Sequence, residues 1–319
     1  MEHKSYRWLK AALLWALCVW CFELPAQDML APMKVQQVSQ HAYFVQGKSA
    51  LGSRANHNFI SNAGFVITPG GVLVIDALGS PQLAQQLKLE IAKITSLPIR
   101  VVVLTHYHAD HIYGLQVFKE SGAHIIAHVA AKEYLNSETA RLRLEVSRKD
   151  LWPAVDEQTR LVSADEWIDG VKNLDLGGMK FIIQPVGFSH TPEDLVIYFP
   201  QEKVLFSGDL VFRNRIPYVG QANSRHWIEA LDDLSKFDVD VIVPGHGPAS
   251  HNPKSDVALT KNYLIAVRQK MREAAQNLEP FDSAYDSADW TAFEHVPLFK
   301  AANRMNAYNT YLLMEQEQK

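Results

Sequence analysis

Residues 105–114 read Thr-His-Tyr-His-Ala-Asp-His-Ile-Tyr-Gly, which gathers His106, His108, Asp110 and His111 into one short run. The stretch before it, Ile-Arg-Val-Val-Val-Leu at 99–104, is short and β-branched and reads as a buried strand. The donor side chains therefore sit at a strand's carboxyl end, where open α/β sheets place their chemistry. Imidazoles and carboxylates are costly to bury without partners, and a metal ion is the obvious one. A lone His at such a place is ordinarily a surface or hydrogen-bonded residue. The H-x-H-x-D-H order differs, because Tyr107 and Ala109 alternate with the donors and a turn can aim the donors one way.

Three further stations repeat the pattern. Phe181–Val186 is strand-like and leads to Gly-Phe-Ser-His-Thr-Pro at 187–192; Lys203–Gly208 is an apolar run closing on Asp209; Val239–Val243 leads to Pro-Gly-His-Gly, with His246 between glycines. Each donor follows a β-rich run and lies beside Gly or Pro, which lets the backbone turn sharply. Four strand ends are expected to converge on one edge.

With these motifs the chain resembles the metallo-β-lactamase superfamily from about residue 35 to residue 251. The resemblance implies a four-layer αββα sandwich and a dinuclear site. His106, His108 and His190 would hold one metal, Asp110, His111 and His246 the second, and Asp209 would bridge both. A bridging aspartate is mostly missing from the lactamase branches and present in glyoxalase-II-like ones, so β-lactam hydrolysis ranks below other substrates. Asn-Ala-Gly-Phe-Val-Ile at 62–67, Ser-His-Thr-Pro-Glu-Asp at 189–194, Gly-Asp-Leu-Val-Phe at 208–212 and Asn-Arg-Met-Asn-Ala-Tyr-Asn-Thr-Tyr-Leu at 303–312 resemble one subgroup. These are the SoxH-related quinoprotein relay system zinc metallohydrolases, a name implying association with periplasmic quinoprotein dehydrogenases. Glu193 departs from the superfamily, in which a glycine commonly follows the His-Thr-x run.

Net charge of −4 without a long basic run argues against nucleic acid as a partner and leaves a small-molecule substrate. Lys4, Arg7 and Lys10 precede an apolar block at 11–22, the proportions of a signal peptide and short for a membrane span. Cleavage after Ala26 is expected, with an uncleaved anchor as the alternative; the periplasm is then the destination. Both cysteines, Cys18 and Cys21, lie in this leader, so the mature chain has no disulfide and no thiolate ligand. Three segments follow: a signal peptide at 1–26, a metallohydrolase domain at 27–252, and a helical extension at 253–319 packed on the same domain.

Residues 35–46 and 59–68 alternate as antiparallel strands, and Val72–Asp76 is a further buried strand. Asp76 either supports a metal ligand from behind or caps the helix expected over 81–94. Helices are expected at 114–121, 136–148, 255–278 and 298–316. In the last two, Val257, Leu264, Val267, Met271, Ala274, Leu278, then Phe299, Ala302 or Met305, Tyr308 and Leu312, form the packing stripes. His124 and His128 share one side of a strand but fall outside the motif stations and are not expected to ligate. Residues 130–165 read as a lid over the site mouth. Its Arg141, Arg143 and Arg148 could meet an anionic substrate, although a solvated helix face explains them more simply. His57, Phe59, Arg213, Arg215 and Tyr218, with His226 and Trp227 behind them, are the candidate substrate contacts.

Imidazole and carboxylate donors suit Zn²⁺ with an open position for water, and a pair of ions can generate a hydroxide near neutral pH. The expected activity is a periplasmic hydrolase in which a hydroxide bridging two Zn²⁺ attacks an ester, thioester, lactone or amide. Asp110, with His106 and His108, stands at its centre. The competing readings are a mononuclear iron, persulfide-dioxygenase-like oxidoreductase and a non-catalytic metal-binding accessory of a quinoprotein system. No Ser-His-Asp or Cys-based site competes, since Ser189 serves as a turn residue.

Overall fold

A computed structural model describes residues 33–318; the leader expected at 1–26 lies outside them. The first sheet runs in chain order: β1 (Val35–Gln37), β2 (Ala42–Val45), β3 (Ala63–Thr68), β4 (Gly71–Ile75), β5 (Ile99–Val103), β6 (His124–His128) and β7 (Glu166–Ile168). It is antiparallel as far as β4 and parallel from β4 to β7. The parallel steps need crossovers, supplied by α1 (Pro81–Ile94), α2 (Ala109–Ile112) with α3 (Leu115–Glu120), and α4 (Ala131–Leu135) with α5 (Glu138–Asp150). The second sheet holds β8 (Lys172–Leu176), β9 (Met179–Pro185), β10 (Leu195–Phe199), β11 (Val204–Phe212) and β12 (Val241–His246) in the order β12-β11-β10-β9-β8. Only β11–β12 is parallel, crossing over through α6 (Ser224–Asp233). The chain closes with α7 (Pro253–Gln276), α8 (Phe281–Ser287) and α9 (Phe299–Glu317).

The sheets face each other across one core. Phe44, Val66, Leu73, Ile75 and Val103 from the first meet Phe181, Ile197, Phe199, Phe206 and Val243 from the second. Val72, Val74 and Val102, on the opposite face of the first sheet, are also fully buried, beneath the helical layer in which α1 packs on α3. The outer face of the second sheet shares a second core with α6, α7 and α9 through Leu205, Val211, Phe212, Trp227, Tyr263, Met271 and Met314. Burying each such side chain is worth roughly 1.5–3 kcal/mol. The architecture is αββα with a helical C-terminal extension. Among the described residues no helix is long and apolar enough to cross a membrane.

Several expectations need correction. Residues 35–46 are not one strand but a tight hairpin, with Val35 opposite Val45. The chain turns at 38–41 because the Glu202 carboxylate accepts from both the Ser39 hydroxyl and the His41 backbone. The strand expected from Phe59 begins at Ala63, since Asn62 is committed elsewhere: its amide donates to the Pro244 and Gly247 carbonyls. Asp209 does not end a strand; β11 continues to Phe212 with its register broken at Gly208. Leu278 lies beyond α7 and is exposed. On α9, Met305, Tyr308 and Leu312 face outward, and the buried face carries Asn303, Asn306, Ala307, Thr310 and Met314. Polar groups can line that face because they are satisfied there: Asn306 donates to the Pro217 carbonyl and accepts from Val219 N–H, and the Tyr263 hydroxyl donates to Asn303. This bond pair ties α9 to the loop carrying Tyr218.

Candidate metal centre

β5 delivers its donors through a short turn. His108 is still extended (ψ 149°), and the single turn of α2 then places Asp110 and His111 side by side. His190 comes from the loop after β9, Asp209 from mid-β11 and His246 from the end of β12. Asp209 reaches the centre because Gly208 adopts φ 51°, a conformation that favours glycine. The neighbouring Gly245 leaves room for it: a Cβ there would stand 2.0 Å from Asp209 Oδ1.

The seven side chains meet as two groups, His106, His108, His190 and Asp209, and Asp110, His111 and His246, with donor atoms in each group within 4.8 Å of one another. Asp209 faces both. Its Oδ2 lies 3.4 Å from His190 Nε2, 3.8 Å from His106 Nε2 and 3.3 Å from His246 Nε2, and its Oδ1 lies 3.3 Å from His111 Nε2. Asp110 Oδ2 lies 3.3 Å from His246 Nε2 and 3.7 Å from His111 Nε2.

Three of the five rings are oriented from behind, while His108 and His190 meet each other, Nδ1 to Nε2 at 3.0 Å. His111 Nδ1 is 2.8 Å from Asp76 Oδ2, His246 Nδ1 is 2.7 Å from the Ile60 carbonyl, and His106 Nδ1 is 3.0 Å from Thr105 Oγ1. Protonation at Nδ1 of His111 and His246 leaves their Nε2 lone pairs directed inward. Asp76 also accepts from Thr105 N–H at 2.8 Å. It does not cap α1; Ser80 does, accepting from Leu83 N–H.

Electrostatics divide the imidazoles. Burial pushes His106 well down, His108 to about 4 and His190 to about 3, so all three are neutral at pH 7. Burial also opposes the charging of His111 and His246, but carboxylates outweigh it and raise both, Asp209 first in each case. For Asp209, burial is likewise outweighed by His246 and His111, and its carboxyl stays well below the usual range. Three neutral imidazoles beside an ionised Asp209 are the donor state a divalent cation takes, and at His111 and His246 a cation would displace the proton that the carboxylates favour. A further observation fits a cation here: His106 Nε2, His111 Nε2 and Asp209 Oδ1 are buried without any hydrogen-bond partner among the described residues, which is costly unless something else satisfies them.

Glu193, where glycine commonly stands, turns inward, and its Oε1 accepts from Tyr107 N–H at 3.3 Å. Asp194 accepts from both the backbone and hydroxyl of Thr191, holding the loop that presents His190. Ser189 Oγ lies 3.1 Å from His226 Nδ1, a tie between that loop and α6. A cavity of about 600 Å³ opens beside the cluster, walled in part by Tyr107, His108, Tyr134, Arg143, Glu193 and Tyr218.

Of the candidate substrate contacts, only Tyr218 lines this cavity. Arg213 is occupied elsewhere, donating to the Pro248 and Ala249 carbonyls and pairing with Asp256 at 2.8 Å. Arg215 is buried behind the centre, its Nη1 3.1 Å from His246 Nδ1. His57 and Phe59 sit half-buried in the loop around the one-turn helix at 54–56. His124 is exposed, 3.2 Å from Glu166, and belongs to neither donor group. Trp227 is fully buried with its N–H on the Leu210 carbonyl. Tyr134 and Asn309 were not anticipated as cavity residues; only the lid reading of 130–165 hinted at the former.

Two sheets flanked by helices, with histidines and aspartates gathered at one edge, define a class of metal-dependent hydrolase. Residues 58–246 match the metallo-beta-lactamase superfamily, and the chain belongs to it. It is 25% identical to metallo-beta-lactamase IND-1 of Chryseobacterium indologenes over 61% of this chain and 75% of that protein. It is 27% identical to a linear primary-alkylsulfatase of a Pseudomonas species over 60% of this chain, but only 42% of the relative. Among solved structures, the stereoselective inverting sec-alkylsulfatase Pisa1 from Pseudomonas sp. superposes with a TM-score of 0.66, covering 88% of this chain and 50% of that one at 18% identity.

Proposed function

We propose that the chain is a dinuclear zinc hydrolase, in which His106, His108 and His190 hold one ion, Asp110, His111 and His246 the other, and Asp209 both. The observation that carries this reading is the position of Asp209, whose two oxygens address imidazoles of both groups at 3.3–3.8 Å. A zinc pair there would supply an activated water at neutral pH and a Lewis-acid contact for the substrate oxygen. Asp76 and the Ile60 carbonyl keep His111 and His246 in the tautomer that presents Nε2. Asp110, the more open of the two carboxylates, would orient the water.

The bond cleaved would be that of an ester, thioester, lactone or amide, to which the alkylsulfatase likeness adds sulfate esters. β-Lactams rank behind these because of the aspartate at 209. The apolar leader and the motifs at 62–67, 189–194 and 208–212 support a periplasmic site of action beside a quinoprotein dehydrogenase system.

Metal analysis of protein purified without added metal tests the reading. Two zinc ions per chain are expected, with Asp110→Ala losing the second ion and esterase turnover, and His124→Ala keeping both. One iron per chain with oxygen uptake on a persulfide, or equal loss from the two variants, would overturn it.

A further inference from the structure

Three arginines on α5 invite comparison. Arg141 is paired with Glu138 and Glu145, and Arg148 donates to the Asp156 and Thr159 carbonyls. Arg143 has no hydrogen-bond or ion-pair partner among the described residues, yet it lines the cavity beside the metal centre. Its charge is felt by His108 and Tyr134, which line the same cavity. α5 is anchored to the fold below it through buried Ala140, Leu144 and Ser147, the last 3.2 Å from the Tyr113 hydroxyl. Arg143 is therefore carried on a fixed helix rather than on a loose loop.

Beside it, the Tyr134 hydroxyl also lacks a partner among the described residues and lines the same cavity. Burial pushes its pKa up to about 12, so it is a phenol with a proton to donate. The cavity's carboxyl groups, Glu133 and Glu193, act on each other, and Glu193 is turned onto the Tyr107 N–H. The cavity thus carries an uncommitted guanidinium in its wall, while Glu193, which also acts on Tyr134, is turned onto a backbone N–H. An anion would be held at the guanidinium, whose planar fork matches an oxyanion.

We propose that Arg143, assisted by the Tyr134 hydroxyl, is a specificity-determining pair that binds an oxyanion on the substrate away from the scissile bond, so that this enzyme selects anionic substrates. The proposal rests on the hydrolase reading for its location but is tested separately from it. Substrates bind with the anionic group toward α5 and the scissile bond toward His108 and His190, with the neutral portion passing Glu193.

The test uses zinc-loaded full-length protein and three 4-nitrophenyl esters of similar length: butyrate, hemisuccinate and 3-sulfopropionate. Hydrolysis of either anionic ester, with kcat/KM at least about tenfold above butyrate, is expected, and whichever is preferred tells carboxylate from sulfonate recognition. In Arg143→Gln the anionic-to-neutral ratio collapses to near unity, chiefly through KM for the anionic esters, while zinc content stays at the wild-type value; Tyr134→Phe loses part of it. Arg143→Gln retaining the advantage, or a wild type without one, overturns the proposal. Calorimetric binding of glutarate and of propanesulfonate to wild type and Arg143→Gln is read in parallel, and it decides the matter even where no ester is cleaved. Binding weakened about tenfold or more by the substitution supports the proposal, and equal or absent binding overturns it. Failure of all three esters to turn over, with binding intact and sensitive to Arg143→Gln, sinks the hydrolase reading alone.

Discussion

Asp76→Asn tests the support behind the second metal group. Asp76 is 3% exposed and accepts from Thr105 N–H at 2.8 Å, from the Thr105 hydroxyl at 2.9 Å and from His111 Nδ1 at 2.8 Å. Its φ is 63°, a left-handed conformation that Asn adopts as readily as Asp, so the backbone is not disturbed. The amide oxygen can keep the Thr105 bond, but its NH₂ then meets the His111 Nδ1 proton. The ring escapes by moving that proton to Nε2, the atom 3.3 Å from Asp209 Oδ1, and a protonated Nε2 cannot ligate. Outer partners of this kind are worth about 10–100-fold in metal affinity, or about 1.4–2.8 kcal/mol at 1.4 kcal/mol per decade. Competition against a chromophoric chelator should show that loss at the second ion with the first unchanged. Wild-type affinity at both ions, or equal weakening of both, would refute the role given to Asp76.

Two further outcomes follow from the same geometry. Metal-free protein should be most stable near the ordinary histidine pKa of 6.5. On the acid side, His106, His108 and His190 have folded values below it, so the unfolded chain binds more protons and stability falls as pH drops. On the alkaline side, His111 and His246 have raised folded values, so their contribution, full below 6.5, is lost as pH rises through them. Urea unfolding across pH 5–9 reads both flanks, and a stability that rises steadily through 6.5 contradicts the assignment. Gly245→Ala places a Cβ 2.0 Å from Asp209 Oδ1; it should cost about 1–3 kcal/mol by thermal unfolding and bring zinc content below two per chain, whereas full zinc content would show that Asp209 does not need that space.

The local part of this protein is legible in its residues. The runs at 72–75, 99–103 and 241–243 are β-branched enough to announce strands, and donors spaced one and two apart in 106–111 can only share one turn. Short strands with half-polar patterns, such as Lys172–Leu176 and Glu166–Ile168, give no such signal and become strands through their neighbours. The face of α9 misleads for a related reason: hydrophobicity favours Tyr308 and Leu312, whereas the buried Asn303 and Asn306 are paid for by bonds to Tyr263, Pro217 and Val219 that no local pattern contains.

What the sequence alone determined was therefore the donor types, their stations and the strands that carry them, because these depend on neighbours a few residues away. Only the tertiary structure decided that Asp209 stands between the two groups, that Asp76 serves His111 while Ser80 caps the helix, and that Arg143 rather than Arg213 faces the cavity. Those outcomes depend on which charge finds a partner across the fold, and partners such as Asp256 for Arg213 lie tens of residues away along the chain.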